Sequence, residues 1–292
     1  MYNTTLWTAL ITPMKKDGSV DFEDLEKLVN EQEKAGNGIL LIGSTGEGLA
    51  LDGKDKLAVV NHVTKIKPSV PVMAGVGGFN LEIQKSWIEK CNELDVDAFL
   101  LVTPLYSKPG IKGQIEWFDA LLSKAQKPCM IYNIPSRTGT KLYIDVLRAI
   151  ENHDNFWAVK EASGSINEYQ DFRNECANVP FFSGDDGLLP FFSVIGCSGL
   201  VSVAANVWPE QTNLYTKMCL QKKTDTIFPV WNRAVKALFS APNPIPAKRL
   251  LAHKKWIKTD TVRPPLSSKE IENIEPLLRA DKEINNWFDE NS

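Results

Sequence analysis

Lys160 closes the apolar run Phe156-Trp157-Ala158-Val159, and Glu161-Ala162-Ser163-Gly164 follow at once. A buried strand that hands one cationic side chain to a cavity at its end has this pattern. An ammonium walled in by apolar groups loses hydration, its pKa falls, and it can act as a nucleophilic amine. Taken alone, the segment reads first as a lysine that snorkels off a strand end into water. A second segment changes the balance. Ile131-Tyr132-Asn133-Ile134-Pro135-Ser136-Arg137-Thr138-Gly139 also follows an apolar run, and it supplies a phenol and a guanidinium. A third, Gly43-Ser44-Thr45-Gly46-Glu47-Gly48, is a turn whose amides and two hydroxyls suit a small anion at a helix start. The same turn also reads as an N-cap with a glycine bend.

The elements that must position these groups follow from periodicity. Short apolar runs lie at 6–11, 39–42, 70–74, 98–102, 129–132, 156–159, 181–183 and 200–203. Segments of helical period alternate with them, at 22–35, 54–66, 81–94, 114–125, 142–150 and 166–176. Near-continuous apolar strands alternating with helices predict a parallel sheet covered on both faces. Eight such units predict an α/β fold of the (β/α)8 TIM-barrel type, which typically takes ~250 residues. A doubly wound open sheet is the rival arrangement. Asp21 and Ser165 each stand three residues before an acid, as helix N-caps do. Beyond residue 208 the pattern is helical throughout, at 210–221, 225–240, 246–255 and 269–288. The expected division is a barrel domain over residues 1–222 and a C-terminal all-helical extension over 223–292.

In such a barrel the functional face lies at the C-terminal strand ends. Those ends carry Ser44 and Thr45, Tyr106, Tyr132, Lys160, Ser183-Gly184-Asp185-Asp186, and Val201-Ser202. Their convergence on one face says more than any single motif. Gly75-Val76-Gly77-Gly78 lacks the third glycine of a dinucleotide loop, because position 80 is Asn, and reads as close packing. Asp185 and Asp186 are adjacent on a strand end and so point to opposite sides, which predicts hydrogen-bonding roles in the loop. His62, His153 and His253 are dispersed, and no metal site is expected.

Composition narrows the class. With 43% apolar and 24% charged residues the chain is an ordinary globular one. A net charge of −3 without basic or acidic blocks argues against nucleic acid and anionic lipid as partners. No apolar run nears the ~20 residues of a membrane helix. The N-terminal segment beginning Met1-Tyr2-Asn3 lacks a signal pattern. Cys91, Cys129, Cys176, Cys197 and Cys219 form no CxxC pair and read as reduced thiols, mostly core fillers. A cytoplasmic location is expected.

Five segments together resemble the dihydrodipicolinate synthase family of pyruvate-dependent class I aldolases. They are Gly43–Glu47, Tyr132–Gly139, Val159–Ala162, Ser183–Asp186 and Asn243-Pro244-Ile245-Pro246-Ala247-Lys248, in the family's order and spacing as far as about Leu266. The resemblance implies condensation of pyruvate with L-aspartate 4-semialdehyde to 4-hydroxy-tetrahydrodipicolinate, a step of lysine and diaminopimelate biosynthesis. It makes Lys160 the Schiff-base lysine, with no cofactor beyond the covalent pyruvate imine. It makes Tyr132 the proton-shuttling phenol, relayed by Ser44 and by Tyr106 from a neighbouring subunit. Thr45 becomes the pyruvate carboxylate ligand, Val201 lends its backbone beside the pyruvate, and Arg137 receives the second substrate's carboxylate. The implied assembly is a homotetramer built as a dimer of dimers.

The sequence also departs from the family. Most synthases have Thr-Thr at Ser44-Thr45, and Ser-Thr is usual in the N-acetylneuraminate lyase branch. Those lyases, however, replace the Ser136–Gly139 segment and lack Arg137. In lysine-inhibited synthases the inhibitor is held at a dimer interface by polar groups where this chain has Gly48, Leu49, Lys56, Phe79, Ile83 and Leu105. A site without a carboxylate, and with Lys56, would repel an ammonium, so insensitivity to L-lysine is expected. The alternatives are N-acetylneuraminate lyase, a 2-keto-3-deoxy sugar-acid aldolase, and a non-catalytic barrel that binds an oxo-acid.

Overall fold

The computed structural model describes residues 3–292; Met1 and Tyr2, which begin the N-terminal segment considered above, lie outside it. Eight strands follow in order: β1 (Leu6–Ala9), β2 (Gly38–Leu41), β3 (Val72–Val76), β4 (Ala98–Val102), β5 (Cys129–Asn133), β6 (Phe156–Glu161), β7 (Phe181–Ser183) and β8 (Gly199–Ser202). Each pairs in parallel with its sequence neighbour, and β8 closes on β1 through Leu6↔Leu200 and Trp7↔Val201. Closure decides between the two architectures. The fold is a TIM barrel.

Alternation along each strand splits the apolar residues into two layers. Inside the barrel pack Trp7, Leu40, Met73, Leu100, Met130 and Phe182. Val59, Ile88, Phe118, Leu147 and Phe192 join the larger layer between strands and surrounding helices. The expected caps form: Asp21 accepts from the Asp24 N–H and Ser165 from the Glu168 N–H. The first helix, Phe22–Ala35, ends at Gly36, whose φ of 71° supplies the left-handed stop.

The helix Leu189–Ile195 has no amphipathic signature, and sequence periodicity does not mark it. Phe192 stacks on Tyr169 at 4.1 Å while Phe191 and Val194 face outward, so both sides are apolar. Two C-terminal helices are shorter than their pattern suggests. Val230–Leu238 begins only after Pro229, and Glu275–Asn291 begins with Pro276 in its first turn. Proline lacks an N–H and is tolerated at a helix start, not inside one. With Pro209–Leu220 and Ile245–His253 they pack around Trp231, which stacks on Tyr215 at 4.0 Å and meets Trp287 edge-on at 5.4 Å. The five cysteines are unpaired. No helix among the described residues is long and apolar enough to cross a membrane.

Candidate active site

Register brings the amine and the phenol together. Tyr132 on β5 pairs with Lys160 on β6, so both side chains leave the sheet on the same side, into the barrel mouth. Lys160 Nζ lies 4.1 Å from the centroid of the Tyr132 ring. Both groups are nearly closed to solvent, at 4% and 6% exposure. Burial brings the Lys160 pKa down from its ordinary 10.5 to about 7; the Asp186 carboxylate opposes the shift and Arg137 adds to it. Burial also lifts Tyr132 to about 12, against the pull of the Arg137 charge and a hydrogen bond with Ser44. The site therefore holds an amine that is substantially neutral near pH 7 beside a phenol that keeps its proton.

Backbone geometry makes room for the amine. A Cβ on Gly184, at the end of β7, would stand 2.8 Å from Lys160 Cε and 2.7 Å from Ala162 Cβ, so only glycine fits there. Asp186 forms the acidic back of the site. Its carboxylate takes the Ser202 hydroxyl and, at 3.0 and 3.3 Å, the N–H groups of Val203 and Ala204. Burial raises its pKa to about 6. Asp185 instead accepts from the Gly187 and Leu188 N–H groups. Both serve as the loop hydrogen-bonding groups that the sequence predicts.

Beside Tyr132 opens a cavity of about 950 Å3, lined by Ser44, Tyr132, Arg137, Leu49, Lys56 and Trp87 among others. Lys160 is not part of this wall and lies behind Tyr132. Lys56, Lys108 and Arg137 line the cavity, and no carboxylate among the described residues does. Arg137 projects from the short turn of helix Pro135–Thr138, which ends at Gly139 with φ 76°. The Lys108 stem runs across Gly139, where a Cβ would come within 2.9 Å of Lys108 Cε. Such a cavity favours anions.

The remaining expected residues divide. Val201 is buried in the inner layer beside Trp7, and Thr45 is buried in the loop after β2. Tyr106 stands apart on the cavity rim, 86% exposed, with a positive φ of 64° that is unusual for an aromatic residue. It makes no hydrogen bond to Ser44 or Tyr132 within the chain.

Sequence reasoning missed the groups behind the site. Asn243 Nδ2 donates to Thr45 Oγ1 at 2.9 Å, and Lys248 is paired with Glu47 in full burial. Both lie in the quoted Asn243–Lys248 segment. Two polar residues framing a proline-rich helix start in an otherwise buried stretch were the available signal. No cluster of His, Cys, Asp and Glu suited to a metal occurs among the described residues.

Residues 3–282 match the dihydrodipicolinate synthetase family. This chain belongs to that family. The 4-hydroxy-tetrahydrodipicolinate synthase of Francisella tularensis subsp. novicida is 48% identical over 287 residues, covering 98% of this chain and 97% of the relative. The dihydrodipicolinate synthase of Acinetobacter baumannii, solved in complex with pyruvate, superposes with a TM-score of 0.90 at 29% identity, covering 97% of this chain and 99% of that one. The enzyme from Cyanidioschyzon merolae, solved with lysine bound, superposes at 0.89 and 28% identity, covering 97% and 99%. As a dihydrodipicolinate synthetase family member the chain is an enzyme, a lyase, and its five resembling segments all fall inside the matched region.

Proposed function

We propose that this enzyme condenses pyruvate with L-aspartate 4-semialdehyde to 4-hydroxy-tetrahydrodipicolinate, through an imine on Lys160. The observation that carries the reading is the buried Lys160 amine, lowered to about 7, held 4.1 Å from the Tyr132 ring. The neutral amine adds to the pyruvate ketone, the carbinolamine loses water, and a protonated imine remains. That imine is the electron sink, so no external cofactor is required. Loss of a methyl proton gives an enamine, whose carbon attacks the aldehyde of the second substrate. Tyr132 moves protons to and from these intermediates, with Ser44 as its hydrogen-bonded neighbour. Thr45 and the Val201 backbone hold the pyruvate, and Arg137 receives the second carboxylate. Both substrates carry a carboxylate, which suits a wall with three cations and no acid.

Tyr106 is 86% exposed on the cavity rim, which supports a role in completing the site of a second copy. The working form is then a homo-oligomer, a tetramer built as a dimer of dimers, acting in the cytoplasm. The same cationic wall supports insensitivity to L-lysine.

Pyruvate followed by borohydride tests the assignment. A reduced pyruvyl adduct located on Lys160, absent in Lys160→Ala, is the expected result, together with higher turnover of aspartate semialdehyde than of N-acetylmannosamine. An unlabelled Lys160 would sink the imine, and the reverse substrate preference would move the enzyme to the sugar-acid branch. Specific activity that stays constant in a monomer would remove Tyr106 from the relay.

A further inference from the structure

Asn243 lies in the C-terminal part of the chain, immediately before Pro244 and the helix Ile245–His253, yet its side chain reaches the loop after β2. Its Nδ2 donates to Thr45 Oγ1 at 2.9 Å, and the two residues are 7% and 2% exposed. A threonine hydroxyl has one proton to give and two lone pairs. Once an amide N–H occupies a lone pair, the hydroxyl proton cannot lie along that line and must be donated elsewhere. In the observed orientation one N–H and the buried carbonyl oxygen of Asn243 have no partner, and in the opposite one both N–H groups would have none. The structure has Asn243 as donor and Thr45 as acceptor.

Both ends of this contact are braced. Five residues further on, Lys248 is paired with Glu47, two residues beyond Thr45. Glu47 also accepts the Arg263 N–H at 2.7 Å, and Thr12 Oγ1 donates to Gly46 O at 2.7 Å. The loop that carries Thr45 is therefore gripped on either side, and a β-branched side chain has little rotamer freedom within it.

We propose that Asn243 is a positioning residue for the reaction: by donating to Thr45 Oγ1 it turns the Thr45 hydroxyl proton toward the carboxylate of the bound 2-oxo acid. The inference rests on the assignment of Thr45 as carboxylate ligand, and it adds a group that acts only through Thr45. A hydroxyl whose proton is preset to face an anion makes a stronger hydrogen bond than one that must reorient first.

The experiment is a double-mutant cycle on the full-length enzyme, read as the pyruvate KM and as the pyruvate concentration that half-saturates borohydride trapping. Thr45→Val should raise both by roughly tenfold, the loss of one hydrogen bond to a charged group. Asn243→Ala should raise both several-fold with little change in kcat, and should add nothing in the Thr45→Val background. Asn243→Asp keeps the shape but can only accept, so Thr45 must give it the proton and turn lone pairs toward the substrate. It should therefore bind pyruvate more weakly than Asn243→Ala, the reverse of what shape conservation predicts, and it carries the test alone if the alanine variant does not fold. The gap between Asp and Ala should narrow in the Thr45→Val background; a gap that persists in full reports charge repulsion and overturns the proposal. Additive effects of Asn243→Ala and Thr45→Val, or wild-type pyruvate binding in Asn243→Asp, also overturn it. A Thr45→Val enzyme with unchanged pyruvate KM is a different failure. It removes Thr45 as ligand and takes the proposal with it, while trapping on Lys160 would still stand.

Discussion

The Lys248 ammonium rests against the Glu47 carboxylate with both side chains closed to solvent, and this contact fastens a C-terminal helix to the loop after β2. Each charge has further partners. Lys248 Nζ donates to Thr261 O at 2.8 Å, and Glu47 takes the Arg263 N–H. Burial pulls the Lys248 pKa down while Glu47 pulls it up. Lys248→Met leaves a buried carboxylate without its counter-charge and should cost about 3–5 kcal/mol in urea unfolding. The double variant Glu47→Gln/Lys248→Met should lose clearly less, because no charge is stranded. Equal losses in the two variants would show that the pair has no coupling.

Lys160 makes activity and stability run on the same titration. Its folded pKa of about 7 lies below the ordinary 10.5. Between these values the unfolded chain holds a proton that the folded chain has shed, so stability rises with pH across the window. Below about 7 both states are protonated and the cost of burying the charge stands in full. Lys160→Met removes that cost. Its gain in melting temperature should be largest below pH 7 and shrink toward 10.5. The rate of pyruvate trapping in the wild type should rise with a midpoint of about 7, and a midpoint above 9 would contradict the burial argument.

Asp186 sets where that midpoint falls. Its charge is the neighbour that most favours protonated Lys160, so Asp186→Asn should move the trapping midpoint to lower pH. The amide also replaces one acceptor facing the Ser202 hydroxyl and the Val203 and Ala204 N–H groups. A stability loss of about 1–3 kcal/mol should accompany the shift. An unmoved midpoint would mean that the carboxylate is silent toward the amine.

Gly184→Ala tests the space around the amine without touching a charge. The new methyl would meet Lys160 Cε at 2.8 Å and Ala162 Cβ at 2.7 Å. The lysine stem is the softer of the two neighbours and should swing away. Trapping should fall by about an order of magnitude or more, as expected for a reacting atom displaced by ~1 Å. Melting should also fall, because Ala162 Cβ, unlike the lysine stem, has nowhere to swing. Normal trapping in Gly184→Ala would show that the lysine tolerates another path.

The barrel was legible because its strands are buried on both faces, so the sequence carries apolar runs separated by helical periods. The place of Lys160 and Tyr132 was legible in part. A polar group at the end of such a run faces the barrel mouth, the surrounding helices or solvent, and only the convergence of several strand ends favours the mouth. The contacts from Asn243 to Thr45 and from Lys248 to Glu47 were not, because they join residues about two hundred positions apart. Periodicity is local, and no local pattern says which loop a C-terminal helix will press on. Leu189–Ile195 escaped for a different reason. Apolar side chains on its outer side erase the contrast on which a helical pattern depends.

Lysine is the end product whose binding the cavity chemistry argues against. Its side-chain ammonium needs a carboxylate to replace lost hydration, and the wall offers Lys56, Lys108 and Arg137 instead. Lys56 is half-buried; burial lowers its pKa, opposed by Asp52, and it makes no ion pair among the described residues. Millimolar L-lysine should leave steady-state turnover unchanged and produce no thermal shift. Lys56→Glu exchanges the repelling charge for an attracting one and should make a lysine-dependent thermal shift detectable. Half-inhibition of the unmodified enzyme at low millimolar lysine would defeat this reading, since the ammonium would then be held without a carboxylate in the cavity wall.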